Sequence, residues 1–140
     1  MLQEKTQTTP FTGKSEGIRH VVQAFWHSFN GIASTLKHES AFRWEVTFAA
    51  VMIPLAILLP VGLLGKALMI GSIFMLLAVE LLNSAVEWTI DLVSPNYHPY
   101  AKRAKDMASA AVMLSIVNLT FIWVLVVYFA WDRIAERFWG

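Results

Sequence analysis

Charged residues are missing from two long stretches of this 140-residue chain, Thr47 to Gly65 and Met107 to Trp131. Between them Lys66 stands alone, and the next charge is Glu80. At about 1.5 Å per helical residue, runs of this length match a hydrocarbon core of roughly 30 Å. The pattern predicts three membrane-spanning helices, over about 42–60, 63–92 and 101–129. Pro60, Gly62 and Gly65 supply the first turn, and Ser94-Pro95-Asn96-Tyr97-His98-Pro99 breaks the chain before the third span. Pro54, inside the first span, is expected to kink it. Ahead of the spans, Ile18, Val21, Val22, Phe25, Phe29, Ile32 and Leu36 recur at three- and four-residue steps, with Arg19, Gln23 and Asn30 off that line. This predicts an amphipathic helix over about 15–37, suited to a membrane surface or to the protein's own bundle. Residues 1–14, rich in Thr and Gln with Pro10 and Gly13, read as a flexible tail. The expected architecture is that tail followed by one all-α integral membrane domain over 15–140.

Composition sharpens the assignment. The chain is 56% apolar and 15% charged, where soluble proteins carry about 25% charged residues. With no cysteine, disulfides and thiolate metal sites are excluded. A net charge of +1, with no basic stripe interleaved with aromatics, gives no reason to expect a nucleic-acid partner. The polar start has no signal-peptide pattern, so insertion is expected to use the spans themselves. Lys5, Lys14, Arg19, Lys37 and Arg43 precede the first span, and Lys102, Arg103 and Lys105 lie between the second and third. The positive-inside rule therefore places the N-terminus and the Pro95 loop in the cytoplasm and the C-terminus outside, with Arg133 and Arg137 a small opposing count. Trp123, Tyr128, Trp131 and Trp139 suit an interfacial belt at the far end, and Trp44 and Trp88 sit at similar interface depths.

The chemistry concentrates at one level. In Glu80-Leu-Leu-Asn83-Ser84-Ala-Val-Glu87-Trp-Thr-Ile-Asp91, Asn83, Ser84, Glu87 and Asp91 fall within roughly 60° of Glu80 on one helix face. A stripe of acids leaving a membrane span is costly unless something requires it. Lys105 and Asp106 begin the next helix at the same level, and Glu39 and Glu45 approach it from the first. Clustered carboxylates with an amide suit magnesium, which takes hard oxygen ligands and shares its shell with substrate phosphates. A lysine beside them neutralises phosphate charge, and phosphoryl transfer asks mainly for positioning and charge stabilisation. No Walker A loop or kinase glycine-rich loop is present. The competing reading from another class is an oligomeric cation channel or transporter lined by the acid stripe.

The segment from Glu80 to Asp91, together with Ala104-Lys105-Asp106-Met-Ala-Ser109-Ala-Ala-Val112, resembles the signature of the prokaryotic diacylglycerol kinase family. Glu39-Ser-Ala-Phe42-Arg43-Trp-Glu45 is similar to that family's acidic N-terminal segment. The resemblance implies a homotrimer of the bacterial inner membrane, each protomer with a surface helix and three spans. It implies composite active sites that use MgATP to phosphorylate diacylglycerol. By position, Glu80 resembles the general base, Glu39 and Glu87 the metal ligands, and Asn83, Lys105, Asp106 and His98 the nucleotide and phosphate contacts. Two positions depart from the pattern: Pro99 follows His98 where an acid is common, and His27 stands where a Tyr lies near the nucleotide. Undecaprenol kinases form a sister group, so that lipid is the alternative acceptor.

Overall fold

The computed structural model describes residues 18–139, all of it helix and short connection. The tail over 1–14 and the first residues of the expected N-terminal helix lie outside the described residues. Five helices follow in order: α1 (Ile18–His38), α2 (Ser40–Leu58), α3 (Leu63–Val93), α4 (Pro99–Phe129) and α5 (Trp131–Trp139). Three of them, α2, α3 and α4, are long and apolar enough to cross a membrane. They agree with the expected spans to within a few residues, because proline punctuates both connections. Leu59, before Pro60, is held extended at ψ 141°, and Ser94, before Pro95, also leaves the helical region at ψ 74°. Pro99 opens α4 at a position where a missing N–H costs nothing. α2 runs on through Pro54, which has no N–H to give the Ala50 carbonyl.

α3 is the hub. Both α2 and α4 pack along it, and they flank it without packing on each other. The tightest seam lies toward the Lys66 end, where Met69 and Ile73 are fully buried against a cluster that includes Leu119 and Trp123 of α4. The Trp123 indole donates to the Met69 carbonyl at 3.3 Å, so a buried N–H is satisfied where an apolar ring fills the seam. At the same end the Lys66 ammonium donates to the Ile57 carbonyl, capping the last turn of α2. Most other large apolar side chains on the spans face outward, among them Val51, Leu55, Phe74, Met113 and Phe121. Outward apolar surface on this scale needs lipid or another subunit.

Two features were not foreseen in the sequence. α5 is a short amphipathic helix whose Ile134 is buried in the same apolar cluster as Val61, between α2 and α3, and Ala130. The second is the joint between α1 and α2, where Glu39 alone leaves the helical region at φ −104°, ψ 117°. Arg43 donates to the Leu36 and Lys37 carbonyls, each at 3.3 Å, and so caps the end of α1 from within α2. α1 reaches the spans only through its C-terminal half, leaving Val21, Phe25 and Phe29 exposed. Because Ile73 is fully buried in the α3–α4 seam, Ile73→Ala is expected to cost about 2–5 kcal/mol. Thermal unfolding in detergent micelles, with the wild type alongside, checks this.

Candidate active site

Burial falls from Glu80 to Asp91 along the polar face of α3. Glu80 is 4% exposed and Ser84 6%, Asn83 and Glu87 are half-buried, and Asp91 is exposed. The face foreseen from the 100° spacing is therefore real, with its first acid deepest in the apolar region. Glu39 and Glu87 lie close enough to Glu80 for their charges to act on it, and Glu80 in turn acts on Glu45. Four carboxylates from the elbow, α2 and α3 thus share one region. Asn83 donates its Nδ2 to Glu87 Oε1 at 3.3 Å. Its own Oδ1 is buried without a hydrogen-bond partner, and so is Glu45 Oε2. Buried oxygens without donors cost free energy unless a cation, proton or further donor meets them.

The remaining predicted residues gather one step further along. Lys105 pairs with Asp91 across the α3–α4 turn, and Lys102 pairs with Asp106 at 2.6 Å within α4. Both pairs are substantially exposed, so they add little stability and chiefly fix where the ammonium groups stand. With Asn96, Tyr97 and His98 they line a cavity of about 280 Å³. His98 is the N-cap of α4, its Nδ1 accepting from the Tyr100 N–H at 3.3 Å. A second groove, of about 270 Å³, runs between α1 and α3, lined by Ser34, Thr35, Leu81, Ser84 and Trp88. A single chain therefore brings Glu39, Glu80, Asn83 and Glu87 together, and sets His98, Lys105 and Asp106 in a neighbouring group.

Two residues gain importance beyond what the sequence suggested. In the sequence Glu45 only approaches the site, yet in the structure it carries one of the orphaned oxygens. Trp88, read as an interface aromatic, donates its indole N–H to Glu39 Oε1 at 2.5 Å. That pairing spans 49 residues of sequence, which no local pattern encodes.

Among the described residues, no three acidic or histidine side chains form a self-sufficient metal cage. Magnesium does not need one, since it usually takes one or two carboxylates and completes its shell with water and substrate phosphates. The donors present fit that demand. Glu39 and Glu87 each have one oxygen held, by Trp88 and by Asn83. The second oxygen of each has no protein donor among the described residues, and every donor in the group is a hard oxygen. A conducting path is harder to build. Ser72 is the only polar side chain between Met69 and Val79, and its buried hydroxyl is turned onto the Met69 carbonyl at 2.8 Å.

Residues 26–127 match the sequence pattern of the prokaryotic diacylglycerol kinase family. The chain belongs to this family. It is 40% identical over 115 residues to a diacylglycerol kinase of Pseudomonas aeruginosa, covering 82% of this chain and 93% of that one. It is 35% identical over 116 residues to a diacylglycerol kinase of Haemophilus influenzae, 83% of this chain and 98% of that one. The Escherichia coli K12 diacylglycerol kinase is 32% identical over 112 residues, 80% of this chain and 92% of that one. The prokaryotic diacylglycerol kinase match contains every site residue from Glu39 to Asp106, whereas α5 lies beyond it. As a member of this family the chain is a membrane enzyme of the lipid-kinase class, with ATP as co-substrate. Glu80→Gln keeps the shape of a buried side chain and removes one charge from a group of four acids. Its thermal midpoint is expected to equal or exceed that of the wild type, and a clearly lower one would contradict the like-charge reading.

Proposed function

We propose that this protein transfers the γ-phosphate of ATP to the free hydroxyl of diacylglycerol, giving phosphatidic acid and ADP. One observation carries the reading: a nearly buried carboxylate, Glu80, stands on a membrane span where Glu39, Glu45 and Glu87 converge on it. An acid at that depth can meet a lipid hydroxyl arriving from the bilayer, while its neighbours meet a nucleotide arriving from water. Glu80 takes the hydroxyl proton, the freed oxygen bonds to the γ-phosphorus, and the bond to the β-phosphate oxygen breaks. Glu39 and Glu87 would hold Mg2+, with Asn83 orienting Glu87. When bound, that ion neutralises charge on the phosphate oxygens. Lys105, with Asp106 and His98 beside it, receives the nucleotide phosphates in the cavity at the Pro95 turn. The groove between α1 and α3 offers the lipid an apolar route edged by the Ser34, Thr35 and Ser84 hydroxyls.

The same reading places α1 on the membrane surface through Val21, Phe25 and Phe29. It places the N-terminus and the Pro95 turn at the cytoplasmic face of the bacterial inner membrane, as the lysine and arginine distribution favours. The functional unit is a homotrimer with composite sites. The open arrangement of α2 and α4 around α3 supports this, since so many polar groups need shielding that three thin spans alone do not give. In mixed micelles with radiolabelled MgATP, diacylglycerol and undecaprenol offered side by side are expected to yield labelled phosphatidic acid as main product. Glu80→Gln is expected to lower that turnover about 10²–10⁴-fold. Labelled undecaprenyl phosphate as main product would keep the chemistry and change the acceptor. Label in neither lipid, from folded protein, would end the kinase reading.

A further inference from the structure

Trp88 follows Glu87 on α3 and is half exposed, a setting in which a tryptophan is ordinarily an interface anchor. Its contacts are more specific than that. The indole N–H is bonded to Glu39 Oε1, and the ring meets His38 edge-on with centroids 5.6 Å apart. Glu39 is the single extended residue of the α1–α2 elbow, and its side chain makes no capping bond to α2. Among the described residues Trp88 is the one side-chain donor to Glu39, and this is the one side-chain hydrogen bond between the elbow and α3. A carboxylate at a non-helical joint otherwise has several rotamers to choose from, and a metal site tolerates little of that freedom.

We propose that Trp88 is a positioning residue of the metal site: its indole N–H fixes one oxygen of Glu39 and leaves the other presented to a divalent cation beside Glu87. This rests on Glu39 being a metal ligand. Asn83 does the equivalent for Glu87, so each ligand has one oxygen tethered by a neutral donor. Both tethers sit on α3, which couples the elbow to the helix that carries Glu80.

The test uses the full chain in lipid-containing micelles, with Mn2+ and a non-hydrolysable ATP analogue, reading bound Mn2+ by electron paramagnetic resonance. Trp88→Phe keeps an aromatic ring beside His38, though a smaller one, and deletes the donor. It is expected to weaken Mn2+ binding about tenfold, within the range for loss of a group that orients a ligand. In turnover assays the Mg2+ concentration for half-saturation rises by a similar factor, while kcat at saturating Mg2+ falls far less. Trp88→His returns an N–H to the position and is expected to recover part of the loss. Glu39→Gln sets the scale. If Glu39→Gln weakens Mn2+ binding and Trp88→Phe does not, the positioning role is wrong and the ligand reading stands. If Glu39→Gln leaves Mn2+ binding intact, both fall. A loss in Trp88→Phe that affects kcat and the Mg2+ requirement alike would mark Trp88 as merely structural.

Discussion

A carboxylate on a membrane helix must be compensated, and the placement of Glu80 sets that requirement for everything around it. Moving an ionised group into an apolar medium costs several kcal/mol or more unless ions, protons or donors attend it. Here the nearest neighbours make the situation worse, since Glu39, Glu45 and Glu87 carry the same sign. Among the described residues no basic side chain is paired with any of them: Lys105 is engaged with Asp91 and Lys102 with Asp106. A fold that spent its acids this way for stability alone would be poorly arranged. The proposed site, completed by a divalent cation that bridges the acids to a phosphate-bearing substrate, makes sense of the same arrangement, because the cation supplies positive charge that the described side chains around Glu80 lack.

Seen from that constraint, the helical framework divides the labour along its length. The Lys66 end is packed and dry, with Met69, Ile73, Leu119 and Trp123 filling the α3–α4 seam. α5 closes that end further by burying Ile134 against the same cluster. Toward Glu80 and beyond, the buried positions on α3 become polar, Glu80 and Ser84, and α4 contributes no buried residue before Ser115. Rigid packing at one end lets α3 hold its acids in fixed register at the other, which is the usual way to position reacting groups.

Much of this was legible in the sequence, and the reasons are physical. Charge-free runs and prolines mark span ends because desolvated charge and absent N–H groups are penalised locally, so the bounds at Leu58, Leu63, Val93 and Pro99 agreed closely. The Glu80 face follows from helical periodicity alone, and the burial gradient from Glu80 to Asp91 matches the expected descent toward water. What stayed hidden depends on pairs distant in the chain. The bond from Trp88 to Glu39 leaves no local trace, so Trp88 read as one aromatic among several. The elbow at Glu39 is a single residue, stabilised by Arg43 reaching back to Leu36 and Lys37. α5 was missed because Trp131 and Trp139 suited an interfacial belt, and nine residues carry too little periodicity to stand out.

In the proposed reading, the elbow accounts for how one chain serves a lipid and a nucleotide at once. A continuous helix from Ile18 to Leu58 would carry the α1 groove in line with α2 and away from α3. Breaking it at one residue folds the C-terminal half of α1 back, so that Ser34 and Thr35 face Leu81, Ser84 and Trp88. The residue that makes the break is also an acid, and its extended backbone frees its side chain from helical packing. Glu39 thus lies between the apolar groove on one side and the carboxylates of α3 on the other. On the proposed reading, the geometry that opens the α1–α3 groove is the same geometry that brings the Glu39 carboxylate to the acids of α3. If Glu39 holds the cation and the groove admits the lipid, as proposed, substrate access and cation binding are two consequences of one backbone turn, and a change at the elbow disturbs both.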